Sequence, residues 1–156
     1  MAIDIWFYHL QRHPIERVLP KLLEKSLEHG WRAIVQARSE ERLAVLDQWL
    51  WVYSDASFLA HGRACDGDAV MQPVYLTTEM DNPNGARLRL FIEGADIVSL
   101  MQDPSSSLYA RMIVLFNGHD EEELTIARRQ WQDLKARSLP LTYWQQNDSD
   151  RWEKKA

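Results

Sequence analysis

Apolar positions along this 156-residue chain follow two periods, and each period marks a class of element. Ile3 to Leu10 (IDIWFYHL) is aromatic, β-branched and almost continuously apolar, as expected of a strand covered on both faces. His13-Pro14 breaks it. Ile15, Val18, Leu19, Leu22, Leu23 and Leu27 then recur at helical spacing through His29, with Gly30 as the C-terminal cap and Pro20 expected to start or kink the helix. Trp31 to Ala37 reads as a second strand. Ser39 is the expected N-cap of a helix through Leu50, with Leu43, Leu46, Trp49 and Leu50 turned inward.

The pattern weakens from Tyr53 to Met80, where only Phe58-Leu59-Ala60 and Val74-Tyr75-Leu76 stand out as short strands between Gly- and Asp-rich punctuation. Asp81 to Arg87 (DNPNGAR) is the strongest turn signal, and Leu88 to Ile92 leaves it as a strand. A short helix is expected within Ala95 to Ser107. Arg111 to Phe116 is a strand feeding a helix over Asp120 to Arg137, and Leu139 to Trp144 adds a last strand. From about residue 145 the chain reads as a polar tail. Strands alternating with helices imply one domain, residues 1–156, built on an open, largely parallel twisted α/β sheet flanked by helices.

Composition narrows the function classes. The net charge of −5 and pI near 5.5 argue against a broad basic surface for nucleic acid. A single cysteine, Cys65, allows neither an internal disulfide nor a cysteine-rich zinc site. The N-terminal stretch lacks the features of a secretory signal and no apolar run approaches membrane-spanning length, so a cytoplasmic location is expected. Seven tryptophans favour a binding protein over a purely structural one.

An α/β sheet raises the alternative of a small enzyme acting on a nucleotide or sugar phosphate. That alternative needs a glycine loop through which backbone amides approach phosphate, and the turn after the first strand reads QRHP instead. His9 and His13 span a strand end and a loop with no accompanying carboxylate motif, and Ser105 to Ser107 lack a nucleophile-elbow context. No catalytic constellation, metal site or cofactor is expected.

The helix over Asp120 to Arg137 (DEEELTIARRQWQDLKAR) carries the most specific pattern. Arg128, Trp131 and Lys135 follow at spacings of three and four residues, which places two cations and an aromatic plate on one side. Such a side suits an acidic peptide ending in an apolar residue and a free carboxylate. Complementing the helix dipole accounts equally well for acidic residues in the first turn and basic ones in the last. Leu124, Ala127, Trp131 and Leu134 form one apolar arc, with Arg128 and Lys135 along its edge.

The chain resembles the chi subunit family of the bacterial DNA polymerase III holoenzyme. The resemblance rests on WFYHL in the first strand, LDQWLWVYSDASFLAHG (Leu46 to Gly62) and IVLFNGHDEEELTIARRQWQDLK, in that order and at near-constant spacing. It implies a Rossmann-like sheet without nucleotide binding and a non-catalytic role in the clamp-loader assembly. It also implies binding to the acidic C-terminal tail of single-stranded DNA-binding protein, which ends in phenylalanine with its free carboxylate. Arg128 would pair with a tail carboxylate, Trp131 would pack on the tail's apolar residues, Lys135 would attract the acidic residues upstream, and Asn117 would lie near the same pocket. Leu124 stands where relatives can carry a further cation. A second partner surface, for the psi subunit that links chi to the clamp loader, corresponds to the region around Trp51 and Phe58.

Overall fold

The computed structural model describes residues 3–11, 15–52, 61–63, 69–146 and 152–155. Among the described residues eight strands form one sheet: β1 (Asp4–Leu10), β2 (Ala33–Gln36), β3 (His61–Arg63), β4 (Val74–Thr77), β5 (Leu88–Phe91), β6 (Arg111–Asn117), β7 (Leu141–Gln146) and β8 (Trp152–Lys154). Their spatial order is β3-β4-β2-β5-β6-β1-β7-β8, and every neighbouring pair is parallel except β7 with β8. The helices are α1 (Ile15–Glu28), α2 (Glu40–Val52), α3 (Ile97–Gln102) and α4 (Glu121–Ala136).

Strand alternation divides the core into two layers. Ile5 and Phe7 of β1 pack with Ile97, Leu100, Ala127 and Leu134, which brings α3 and α4 onto one face. Tyr8 and Leu10 pack with Leu19, Leu23, Leu43 and Leu46, which brings α1 and α2 onto the other. Because both faces are covered, β2, β4 and β5 are buried along their whole length, and each carries a single polar residue, Gln36, Thr77 and Arg89 respectively. The sheet is therefore the open, largely parallel α/β arrangement expected.

Several expectations change in detail. Helix α1 runs through Pro20 rather than starting there. Ser39 does cap α2, its hydroxyl accepting from the Arg42 N–H at 3.2 Å, but Trp49 is 41% exposed while Leu43, Leu46 and Leu50 are buried. Trp49 lies beside Val45 on the solvent side, one helical step off the inward arc. The expected polar tail contributes Gln145 and Gln146 to β7 and residues Trp152–Lys154 to β8, because Trp152 packs on Tyr8 with ring centroids 4.6 Å apart and ties the segment to the core. Phe58 to Ala60, His13 and Cys65 lie outside the described residues.

Sequence patterning holds no hint of the fully buried Arg89 in β5. Its guanidinium donates to the Gln36 side chain, to the Asp81 and Glu79 carbonyls and to the Tyr109 hydroxyl. The Asp81 carboxylate accepts from the Tyr75 and Thr77 hydroxyls, so the arginine clamps the turn after β4 to the sheet. In that turn Asn82 bonds both the N–H and the carbonyl of Ala86, and Gly85 takes a φ of 70°, which glycine adopts without strain.

Candidate functional site: an aromatic pocket beside the last long helix

Strand β6 ends at Asn117, and a tight connection starts α4 shortly after it. The Asn117 side-chain oxygen accepts from the His119 N–H at 2.9 Å, and the Asp120 carboxylate caps the helix by accepting from the Glu123 N–H at 3.0 Å. Glu123 reaches back to the Asn117 N–H at 3.4 Å, and burial pushes its carboxyl pKa up. These bonds fix the angle at which α4 leaves the sheet.

Between α4, β6 and β7 lies a cavity of about 230 Å³. Ala127, Arg128, Trp131 and Gln132 line it from the helix, Phe116 and Tyr143 from the strands, and Lys155 from the segment after β8. Its walls are aromatic rings in edge contact. Trp131 meets Phe7 at 5.3 Å and Tyr143 at 5.5 Å, both nearly perpendicular, and Tyr143 meets Phe116 at 6.1 Å. Trp131 is thus half core and half pocket wall, as its intermediate burial reflects.

Behind the wall, Tyr143 is held by His9, whose Nδ1 lies 2.7 Å from the phenol oxygen. His9 also stacks on Phe116 at 5.0 Å. Burial, then the positive charge of Arg128 and then His119, lower the His9 pKa below its ordinary value, while burial raises that of Tyr143 and Arg128 opposes the rise. Neutral imidazole and neutral phenol are therefore the resting pair. Gly118 leaves the room for His9, since a Cβ there would come within 1.9 Å of its Nε2.

Among the described residues the charged groups at the rim are both basic. Arg128 is exposed and its side chain makes no hydrogen bond or ion pair with a described residue, so its donors stay available. Lys155 is set at the rim by its N–H bond to the Tyr143 carbonyl at 2.7 Å, and its ammonium pairs with Glu153 at 3.0 Å. An apolar, aromatic pocket edged by an unpaired guanidinium can take an apolar side chain next to a carboxylate.

Of the residues picked out by sequence, Arg128 and Trp131 come together at this pocket. Lys135 is exposed in the last turn of α4 and is not among the described lining residues, and Asn117 directly follows the lining residue Phe116 and bonds within the strand-to-helix connection. Leu124 packs partly buried against the core rather than at the rim. Phe58 and the side chain of Trp51 lie outside the described residues. Sequence reasoning does not find Phe116, Gln132, Tyr143, Lys155 or the supporting His9. A parallel sheet joins residues far apart in sequence, and the aromatics of β1 and β7 are the only signal available along the chain.

Among the described residues no group of three His, Cys, Asp or Glu side chains is placed to hold a metal, and no helix is long and apolar enough to cross a membrane. Comparison with known proteins gives a match to the family described as DNA polymerase III chi subunit, HolC, over residues 3–142. The chain is also similar to a protein of Rickettsia prowazekii (strain Madrid E) described as probable DNA polymerase III subunit chi. The two are 28% identical over 95 residues, which cover 61% of this chain and 58% of that relative's length.

Proposed function

The chain belongs to the DNA polymerase III chi subunit family, and from that membership we propose that it is a non-catalytic replication accessory subunit that binds the acidic tail of single-stranded DNA-binding protein. The α4 pocket is the binding site. One observation carries the reading: the Arg128 guanidinium, unpaired among the described residues, stands at the edge of an aromatic cavity whose described lining holds no carboxylate. A tail's terminal carboxylate pairs with Arg128, its phenylalanine enters between Trp131 and Tyr143, and Lys155 draws the acidic residues upstream. Lys135, exposed beyond the cavity, contributes only long-range attraction.

Binding of this kind tethers the polymerase assembly to coated single strands and raises its local concentration there, so nucleic acid is reached only through the coating protein. The link to the clamp loader runs through a psi-type partner at the surface around Trp51 and Phe58, in the cytoplasm. Calorimetry with a synthetic tail peptide tests the pocket. Arg128→Ala is expected to weaken binding roughly tenfold or more, the loss of one charge-assisted contact. Unchanged affinity in that variant, or no binding by the intact protein, refutes the assignment.

A further inference from the structure

A second cavity, of about 240 Å³, opens on the opposite face of the sheet, between the C-terminal half of α1 and strands β1 and β6. Arg111, the first residue of β6, is one of its lining residues. The guanidinium carbon sits 3.8 Å from the Trp6 ring centroid and 5.7 Å from that of Trp31, a cation held between two indoles. Stacking engages the faces of a guanidinium and leaves its in-plane donors unused. The Arg111 side chain makes no hydrogen bond or ion pair with any described residue, and its Nε is shielded from solvent without a partner.

Among the described residues the other ionisable groups of the lining are Lys25, His29 and Tyr8, with no carboxylate among them. Asp4, opposite Arg111 in the β1–β6 register, is exposed, lies outside the lining and makes no ion pair with it. In a chain of net charge −5, a cavity whose charged lining is wholly basic is a local reversal of sign. Burial pushes the Tyr8 hydroxyl up to about 12, with Arg111 opposing, so that hydroxyl stays neutral and adds no negative charge. The volume suits one anchoring side chain rather than a free nucleotide, whose pockets start at about 300 Å³.

We propose that this cavity is an anchor pocket for an acidic segment of a partner protein. A carboxylate of the segment meets the in-plane donors of Arg111, the exposed Lys25 attracts its neighbouring acidic residues, and the edges of Trp6 and Trp31 pack against an adjacent apolar side chain. The site is independent of the α4 pocket, because the two lie on opposite faces of the sheet.

The test uses the full chain with nitrogen-15 in the indoles, titrated with an N-acetylated, C-terminally amidated peptide of alternating Asp and Leu. Saturable shifts of the Trp6 and Trp31 indole N–H signals are expected, retained in Arg128→Ala and weakened roughly tenfold or more in Arg111→Gln. Lys25→Glu, on the exposed side of α1, is expected to weaken the same shifts by about threefold or more, and decides the matter if Arg111→Gln does not fold. Unmoved Trp6 and Trp31 signals, or equal shifts in all variants, overturn the proposal. It is equally overturned if inorganic phosphate or an oligothymidylate moves these signals at lower concentration than the peptide.

Discussion

Replacing Gly118 by alanine would place a Cβ 1.9 Å from His9 Nε2, 2.3 Å from its Cδ2 and 3.1 Å from the Leu10 carbonyl oxygen. Gly118 is not in the left-handed region, so the substitution is not strained by backbone conformation; its whole cost is steric. Neither side can retreat freely. The Gly118 N–H is bonded to the Leu10 carbonyl at 2.8 Å, and His9 is held by Tyr143 at 2.7 Å and stacked on Phe116. Overpacking of a constrained site costs about 1–3 kcal/mol, and losing the His9–Tyr143 hydrogen bond adds about 0.5–1.5 kcal/mol. A loss of about 2–4 kcal/mol is expected, or a drop in Tm of roughly 5–15 °C for a chain of this size. Urea unfolding followed by tryptophan fluorescence measures it. The decisive comparison is the double variant His9→Ala/Gly118→Ala, which removes the ring that the added methyl group would strike and should recover most of the loss relative to His9→Ala alone. A Gly118→Ala protein within about 0.5 kcal/mol of the parent, or strictly additive effects in the double variant, refutes the reasoning. Because the displaced imidazole also releases Tyr143, tail-peptide affinity should fall in Gly118→Ala.

Four further outcomes follow from the same contacts. Lys135→Ala should leave tail affinity within about threefold by calorimetry, because screening leaves little of the attraction of an exposed lysine outside the pocket. Arg89→Met should cost about 3–5 kcal/mol in urea unfolding, since the Gln36 side chain and the Asp81 and Glu79 carbonyls lose their buried donor. Asp120→Ala should cost about 1 kcal/mol by loss of the α4 N-cap, read as a fall in Tm. His9, held below its ordinary value of 6.5 by burial, Arg128 and His119, binds its proton more weakly folded than unfolded. Stability from the neutral imidazole is therefore complete above about 6.5 and is lost as pH falls through the lowered native value. In Arg128→Ala an NMR titration should show the His9 pKa moving up, and an unchanged value would contradict the placement of Arg128.

The elements are legible because burial on both faces leaves a signature that needs no partner to read. Ile3 to Leu10 and Arg111 to Phe116 are apolar without alternation, and Leu43, Leu46 and Leu50 mark an inward helical arc. Hydrophobicity alone points Trp49 inward, whereas its position one step round the helix sends it to solvent. Trp152 reads as part of a polar tail because its neighbours are charged, yet one indole packed on Tyr8 accompanies a strand that brings Lys155 to the pocket.

By itself, then, the amino-acid sequence determined the class of sheet, the bounds of α4 and the two pocket residues that lie one turn apart on it, Arg128 and Trp131. Periodicity within a helix is a local property, and i, i+3 neighbours meet wherever the helix is placed. Only the tertiary structure decided that Tyr143, Phe116 and Lys155 join Arg128 and Trp131 in lining the pocket, with His9 behind Tyr143, while Lys135 is not among the described lining residues. The same holds for Arg111 between Trp6 and Trp31. Apart from Trp31, which precedes β2, those groups meet through the β6-β1-β7-β8 strand order, in which the register of β1 with β6 and β7 pairs residues more than a hundred positions apart, and no spacing along the chain encodes that distance.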